Sequence, residues 1–282
     1  MQAKLEFLQS LARMAGSIML RNWGGEIHAF PKPDGSIVTE VDLEISRRVC
    51  EKIQRHYPDC SLLTEETRGK LLYPQRCGFI VDELDGTHGY FRGKSGFSFQ
   101  CAYYEQFDQL KIGLVYDPLR DVMVYGVKGE GVYWQAQSQK HKVESLPSKS
   151  WPDLKYANHR RYMTGTLRRM YQGLGVDENR IIPTGGIGSK CIDFVEGKVD
   201  VLISLNRSIG AWDWAPGKVI LEELGLKLCH LTGEELQVNK DDEGFGYLVC
   251  PPEHYPSLLE KLDWIITKVK PRDRSTFPPT QL

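Results

Sequence analysis

The side chains best placed for chemistry sit in Phe79-Ile-Val-Asp82-Glu83-Leu84-Asp85-Gly86-Thr87, where a short apolar run ends in two carboxylates three residues apart, followed by Gly and Thr. An apolar run of this length reads as a buried strand, and Asp and Gly at its end read as a turn. Carboxylates and a carbonyl at such a turn suit a hard dication. Mg²⁺ takes oxygen ligands in octahedral geometry and is normally held by a few carboxylates together with substrate phosphate. Asp82, Asp85 and the Leu84 carbonyl are the candidate ligands. Gly86 permits close backbone approach, and the amides of Gly86 and Thr87 would point at an anion if they open a helix. An ordinary strand-to-turn junction rich in Asp and Gly fits the same residues.

Three further stretches carry acids that could join this one. In Thr39-Glu40-Val41-Asp42, Val41 begins a four-residue series with Ile45, Val49 and Ile53, so Asp42 falls in the first turn of a helix running to about His56. Thr39-x-x-Asp42 also fits a capping box, in which the carboxylate serves only the helix terminus. Ser61-Leu-Leu-Thr64-Glu65-Glu66 reads as a short strand ending in paired acids, and a merely solvated pair on a loop fits the same residues. Asp213 lies at the start of a helix in Gly210-Ala-Trp-Asp213-Trp-Ala215, where the dipole favours a carboxylate in any case. The compact basic cluster Asn158-His159-Arg160-Arg161 suits either an anionic group or a solvated loop.

The elements that must position these residues can be outlined. Leu5, Leu8, Leu11, Ala12 and Ala15 recur at helical spacing, with Lys4, Glu6 and Arg13 between them, so the N-terminus is an amphipathic helix rather than a signal peptide. Gly24-Gly25 through Gly35 reads as a loop. Phe97 to Tyr104, Leu110 to Tyr116 and Val122 to Trp134 form an antiparallel meander, rich in aromatic and β-branched residues. Ser145 to Pro152 is linker-like and divides the chain into 1–148 and 149–282. Beyond it strands at Leu154 to Ala157, Val199 to Leu205, Leu226 to Leu231 and Tyr247 to Cys250 alternate with helices beginning near Met163, Ser189, Trp214 and Pro256, an α/β pattern.

Composition excludes several classes. The 282 residues are 41% hydrophobic and 26% charged with a net charge of −1, which argues against disorder and gives no electrostatic basis for a nucleic-acid polymer or membrane-surface partner. No apolar run approaches the roughly 18 residues of a membrane span. Seven cysteines lack any C-x-x-C pair, so reduced thiols in a cytoplasmic protein are expected, with neither a disulfide scaffold nor a zinc knuckle. A G-x-S-x-G elbow and a Walker A sequence are absent, and Gly185, Gly186 and Gly188 lack the strand and acid of a dinucleotide fingerprint.

Taken in order, the four acidic stretches resemble the inositol monophosphatase superfamily of Mg²⁺-dependent, lithium-sensitive phosphomonoesterases. Asp82-Glu-Leu-Asp-Gly-Thr87 is similar to the family's D-P-x-D-G-[ST], with Glu83 in place of proline. Trp212-Asp-Trp-Ala-Pro216 approximates W-D-x-[AG]-[AG], Val38-Thr-Glu-Val-Asp42 matches V-T-x-x-D, and Thr64-Glu-Glu66 stands for G-E-E. The run from Asp85 to Gly93 looks like that of the 3′-phosphoadenosine 5′-phosphate phosphatase branch, as do Lys32, Gly186 and Lys190. The resemblance implies an α/β (α+β) fold, a layered αβαβα sandwich, with Asp213 supplied from the second half. It implies that Glu66, Asp82 and the Leu84 carbonyl hold one Mg²⁺, that Asp82, Asp85 and Asp213 hold another, with two or three ions in all, and that Li⁺ inhibits. Glu66 and Thr87, backed by Asp42, would activate water, while Gly86, Thr87, His159 and Lys190 would contact a small phosphorylated metabolite. The expected substrate is a 3′(2′),5′-bisphosphate nucleotide; inositol or histidinol phosphate, or a non-catalytic phospho-ligand-binding role, are the alternatives, and a homodimer is compatible with each. Glu83 is expected to point away from the acids.

Overall fold

The computed structural model describes residues 1–33, 35–67, 77–106, 109–159, 165–205, 209–238 and 246–268. Its first half contains α1 (Gln2–Asn22), β1 (Ala29–Pro31), β2 (Ile37–Thr39), α2 (Glu40–His56), β3 (Ser61–Thr64), β4 (Cys77–Asp85) and α3 (Thr87–Phe91). A run of strands follows: β5 (Ser98–Glu105), β6 (Gln109–Asp117), β7 (Val122–Val127), β8 (Gly131–Ala136) and β9 (Gln139–Val143). The second half alternates β10 (Tyr156–His159), α4 (Gly165–Gly173), β11 (Ile181–Thr184), α5 (Ile187–Val195), β12 (Val201–Ser204) and α6 (Ala211–Glu223), and then ends in β13 (Lys227–His230), β14 (Tyr247–Cys250) and α7 (Tyr255–Lys268).

Strands β3 to β9 form one sheet in chain order, parallel only at β3–β4. The second sheet has the order β11-β10-β12-β14-β13, with β10 parallel to both β11 and β12. Side chains alternate across each sheet, and the two faces go to different neighbours. Phe79, Val81 and Leu84 of β4 pack with Leu8 and Leu11 of α1 and Ile45 and Val49 of α2. Ile80, Val115 and Val124 face the other way, onto Phe194 of α5 and Trp214 and Ile220 of α6, and Leu202 and Val249 of the second sheet close that same core. Tyr156 and Leu248 then meet Met170 and Tyr171 of α4 and Leu258 of α7. The result is the five-layer αβαβα sandwich implied by the resemblance.

Most expected elements are present; β9 extends the meander beyond the expected Trp134, and other differences have physical reasons. The stretch expected as a loop before α2 contains the β1–β2 hairpin, too short for an alternating pattern to show. β11 includes Pro183, which argues against a strand but is tolerated because β11 is an edge. The reduced-thiol expectation is corrected: Cys60 and Cys77 form a disulfide, while Cys50, Cys101, Cys191, Cys229 and Cys250 are free. Parallel pairing places Ser61 beside Gly78, so the residues one step earlier in each strand, Cys60 and Cys77, face each other with Cα atoms 5.0 Å apart. No motif announces that register. Arg160, Arg161, Met163 and the polar tail from 271 to 282 lie outside the described residues.

Two glycines let α6 lie flat on the first sheet. Gly113 of β6 and Gly126 of β7 are cross-strand partners. A Cβ on Gly113 would sit 2.0 Å from the Pro216 carbonyl oxygen, and one on Gly126 would sit 3.0 Å from Ile220 Cα. Pro216 lies in the second turn of α6, and this backbone-to-backbone approach seats the helix whose first turn carries Asp213. Gly113→Ala should therefore force α6 off the sheet and cost about 1–3 kcal/mol, read as a lower urea midpoint; an unchanged midpoint would mean the close approach is not needed.

Candidate active site

A bulge in β4 brings the two central carboxylates to one face. Three residues apart in a regular strand, Asp82 and Asp85 would point to opposite sides of the sheet. However, Asp82 pairs with Gln100 and Asp85 with Ser98, so β4 carries one residue more than β5 between those two pairs. A one-residue bulge of this kind re-aims the side chains that follow it. Asp82 caps the bulge, its Oδ1 accepting from the Leu84 amide at 3.1 Å.

Each acid is met by donors from a different element. Asp42 is fully buried and closes a capping box with Thr39, whose amide donates to Oδ2 at 2.8 Å and whose hydroxyl donates to the same oxygen. The capping reading is thus correct, and Asp42 has a second role: the single proton of the Thr87 hydroxyl is shared between Asp42 Oδ1 at 3.2 Å and the Leu84 carbonyl at 2.8 Å. Gly86, with φ 82°, is the N-cap that turns the chain from β4 into α3. Asp85 crosses to the second half, its Oδ1 accepting from the Ile187 amide at 3.1 Å and its Oδ2 from Gly188 at 2.8 Å, at the start of α5. There is no room for a side chain here, because a Cβ on Gly186 would meet Asp85 Oδ2 at 2.2 Å. The expectation that no strand precedes these glycines is corrected, since β11 ends at Thr184 and α5 opens at Ile187, but the turn between them serves the carboxylate. Asp213 caps α6 through the Gly210 amide at 2.7 Å.

The acid pair after β3 meets a cation. Lys32, in the β1–β2 turn and only 9% exposed, bridges Glu65 at 2.8 Å and Glu66 at 2.7 Å. Burial lowers its pKa, but the charges of Glu65 and Glu66 outweigh that and leave it above the ordinary value. The electrostatics extend the expected set. Asp82 is held well above the usual carboxylate range by burial and then by Glu65, Asp85 and Asp213. Asp213 is raised by burial and by Glu65, and Asp85 is raised by burial despite Lys190 and its two amide donors. Burial pushes Asp42 up to about 7, against the hydrogen bonds from Thr39.

Sequence reasoning passed over Glu65 as a member of this charge cluster, and also Ser98 and Gln100, which reach Asp85 at 3.2 Å and Asp82 at 3.5 Å. The signal was there: they are polar at alternate positions of a strand otherwise filled by Phe99 and Cys101. Lys190 is buried, and its ammonium donates to the Gly185 and Gly186 carbonyls at 2.8 and 3.2 Å, so it braces the turn that holds Asp85. His159 closes β10 opposite Thr184 of β11, one residue before the glycine turn. Glu83 faces Ser46 of α2 and Thr64 of β3, and is fully buried. Its side chain turns toward α2, yet its charge still raises Asp82 and it is raised in turn by Glu66, while burial is the main cause that lifts its pKa to about 8.

Among the described residues, no three acidic, His or Cys side chains form a ready-made coordination cluster. The chemistry of the donor set nonetheless fits a hard dication. All its donors are oxygens, and buried carboxylates that raise one another's pKa carry negative charge that a cation would relieve.

The profile of the inositol monophosphatase family matches residues 1–266. A fructose-1,6-bisphosphatase/inositol-1-monophosphatase of Thermotoga maritima is 25% identical over 241 residues, covering 82% of this chain and 86% of its own. The Nus factor SuhB of Pasteurella multocida is 24% identical over 272 residues, covering 89% and 92%. A staphylococcal IMPase-II bound to 2′-AMP superposes with a TM-score of 0.75 at 20% identity, covering 95% of this chain and 98% of that one.

With an ordinary value of 4.5 and a folded value of about 8, Glu83 keeps its proton in the folded chain across a window in which the unfolded chain releases it. Stability attributable to this group is therefore highest below the lower value and falls as pH rises to the upper one. Glu83→Gln should match wild type near the acidic end and exceed it in melting temperature by several degrees at the alkaline end. Parallel stability curves for the two proteins would show that Glu83 is not held neutral.

Proposed function

The chain belongs to the inositol monophosphatase family and is a metal-dependent phosphatase, and from that premise we propose that it is a Mg²⁺-dependent phosphomonoesterase acting on 3′(2′),5′-bisphosphate nucleotides such as 3′-phosphoadenosine 5′-phosphate. The observation that carries the hydrolytic reading is the Thr87 hydroxyl, held between the Asp42 carboxylate at 3.2 Å and the Leu84 carbonyl at 2.8 Å beside the acid cluster. Glu66, Asp82 and the Leu84 carbonyl would hold one Mg²⁺, and Asp82, Asp85 and Asp213 a second. Bound there, the ions supply charge neutralisation for the phosphoryl oxygens and lower the pKa of water.

The remaining roles belong to the chain's own groups. Thr87 Oγ1 accepts from the attacking water and passes its own proton to Asp42 Oδ1. A carboxylate that titrates at about 7 is matched to that task at neutral pH. Glu66 orients the water from the β3 side, and the amides of Gly86 and Thr87, heading α3, bind the phosphate. The halves 1–148 and 149–282 enclose the site between them, with Asp213 and the α5 turn coming from the second.

The bisphosphate reading is supported by the run from Asp85 to Gly93 and by the parallel strands β10 and β11, whose carboxyl ends lead to His159 and to the turn around Asp85. Crevices at the carboxyl ends of parallel strands are the usual ligand sites of open α/β sheets. The name of the Thermotoga relative favours a second reading, in which inositol 1-phosphate or fructose 1,6-bisphosphate is the substrate.

Purified protein offered adenosine 3′,5′-bisphosphate, inositol 1-phosphate, histidinol phosphate and fructose 1,6-bisphosphate with Mg²⁺ should release phosphate fastest from the first, and Li⁺ should inhibit. Preference for inositol phosphate would move the assignment to the second reading, and no release from any of them would favour a phospho-ligand-binding role. Asp42→Asn should lower kcat by about 10²–10⁴-fold with little change in KM. It should also abolish the acidic limb of the pH profile, along which the rate rises as Asp42 ionises near 7. An intact limb in Asp42→Asn would assign that proton to another group.

A further inference from the structure

The disulfide sits at one end of the strand pair whose other end carries the acids. Cys60 immediately precedes β3 and Cys77 opens β4, while Glu65 and Glu66 follow β3, and Asp82 and Asp85 end β4. β3 is a four-residue strand at the sheet edge, and its one sheet neighbour is β4. Four ladder pairs and the bond from the Glu65 amide to the Val81 carbonyl at 3.2 Å hold it in register there. A one-residue slip of so short a strand would turn Thr64 and the acids after it to the opposite face. The disulfide ties Cys60, one residue before β3, to Cys77, the first residue of β4, and so pins the register of the two strands at the end away from the acids. Cys60 and Cys77 are both half-buried, and Cys77 lines a surface hollow with Tyr103, Glu105 and Gln106, the side from which a reagent would approach.

From this we infer that the Cys60–Cys77 disulfide is a redox-sensitive brace that sets how tightly the acid pair after β3 holds its metal ion. The inference rests on the metal-site reading above. A soluble dithiol is the reductant: one thiolate attacks Cys77 Sγ and the Cys60 thiolate leaves. The second thiolate of the reagent then attacks the mixed disulfide and releases Cys77. Two electrons and two protons pass to the protein, which ends with two thiols, and the reagent ends as a disulfide. With the brace cut, β3 keeps its ladder and the bond from the Glu65 amide, and the acid pair is presented less often in the register in which Glu65 and Glu66 meet Lys32 and Glu65 acts on Asp82.

The experiment uses the full chain, oxidised or treated with dithiothreitol, together with Cys60→Ser/Cys77→Ser. Peptide masses after iodoacetamide report the state of Cys60 and Cys77, and the Mg²⁺ dependence of the melting temperature reports ion binding without any turnover. Oxidised protein should resist alkylation at both positions. Reduction should raise the Mg²⁺ concentration for the half-maximal thermal shift by about tenfold, and the double variant should match the reduced protein and ignore the dithiol. Equal Mg²⁺ midpoints in the oxidised and reduced forms, or free alkylation of Cys60 and Cys77 before reduction, would overturn the brace. A thermal shift absent from every form would instead remove the metal site on which the inference rests.

Discussion

Everything in this molecule accommodates one costly interaction, the crowding of carboxylates around the end of β4. Burial holds Asp82, Asp85 and Asp213 above the ordinary carboxylate range, and the charges of neighbouring acids add to it at Asp82 and Asp213. Charges this close cannot be brought out of water unless donors or cations meet them. The fold supplies those partners one at a time: the capping box of α2 for Asp42, the amides at the start of α5 for Asp85, the first turn of α6 for Asp213, and Lys32 from the β1–β2 turn for Glu65 and Glu66.

Because each partner comes from a separate element, the site depends on how closely those elements approach. Gly186 lets Asp85 reach the α5 amides, and Gly113 and Gly126 let α6 rest on the sheet with Asp213 at its head. The metal-dependent phosphatase chemistry of the family is compatible with this arrangement because the donor set consists of oxygens alone and carries surplus negative charge.

Glu83 shows how the same crowding is tolerated at the position where the family pattern has proline. The bulge that returns Asp85 to the face of Asp82 leaves Glu83 on the other face, near Ser46 and Thr64, where burial keeps it protonated at neutral pH. Its charge, where it ionises, adds to those that raise Asp82. Cys60 and Cys77 belong to the same strand pair, at the end away from the acids, and tie the edge strand to the one that carries Asp82 and Asp85.

The local features were decided by the sequence itself. The period of apolar residues in α1, α2 and the meander specifies those elements, the Thr39–Asp42 capping box is a short-range pattern, and four acidic stretches in order carry the family's signature. Tertiary structure decided what depends on register and approach. A bulge at Glu83 and Leu84, the facing of Cys60 and Cys77 across parallel strands, the bridging of Glu65 and Glu66 by Lys32, and the clamping of Asp85 by α5 all join residues distant in the chain or turn on a one-residue shift in pairing. Linear spacing records neither, because a strand's period of two shows which side chains alternate but not which residue of the neighbouring strand they face.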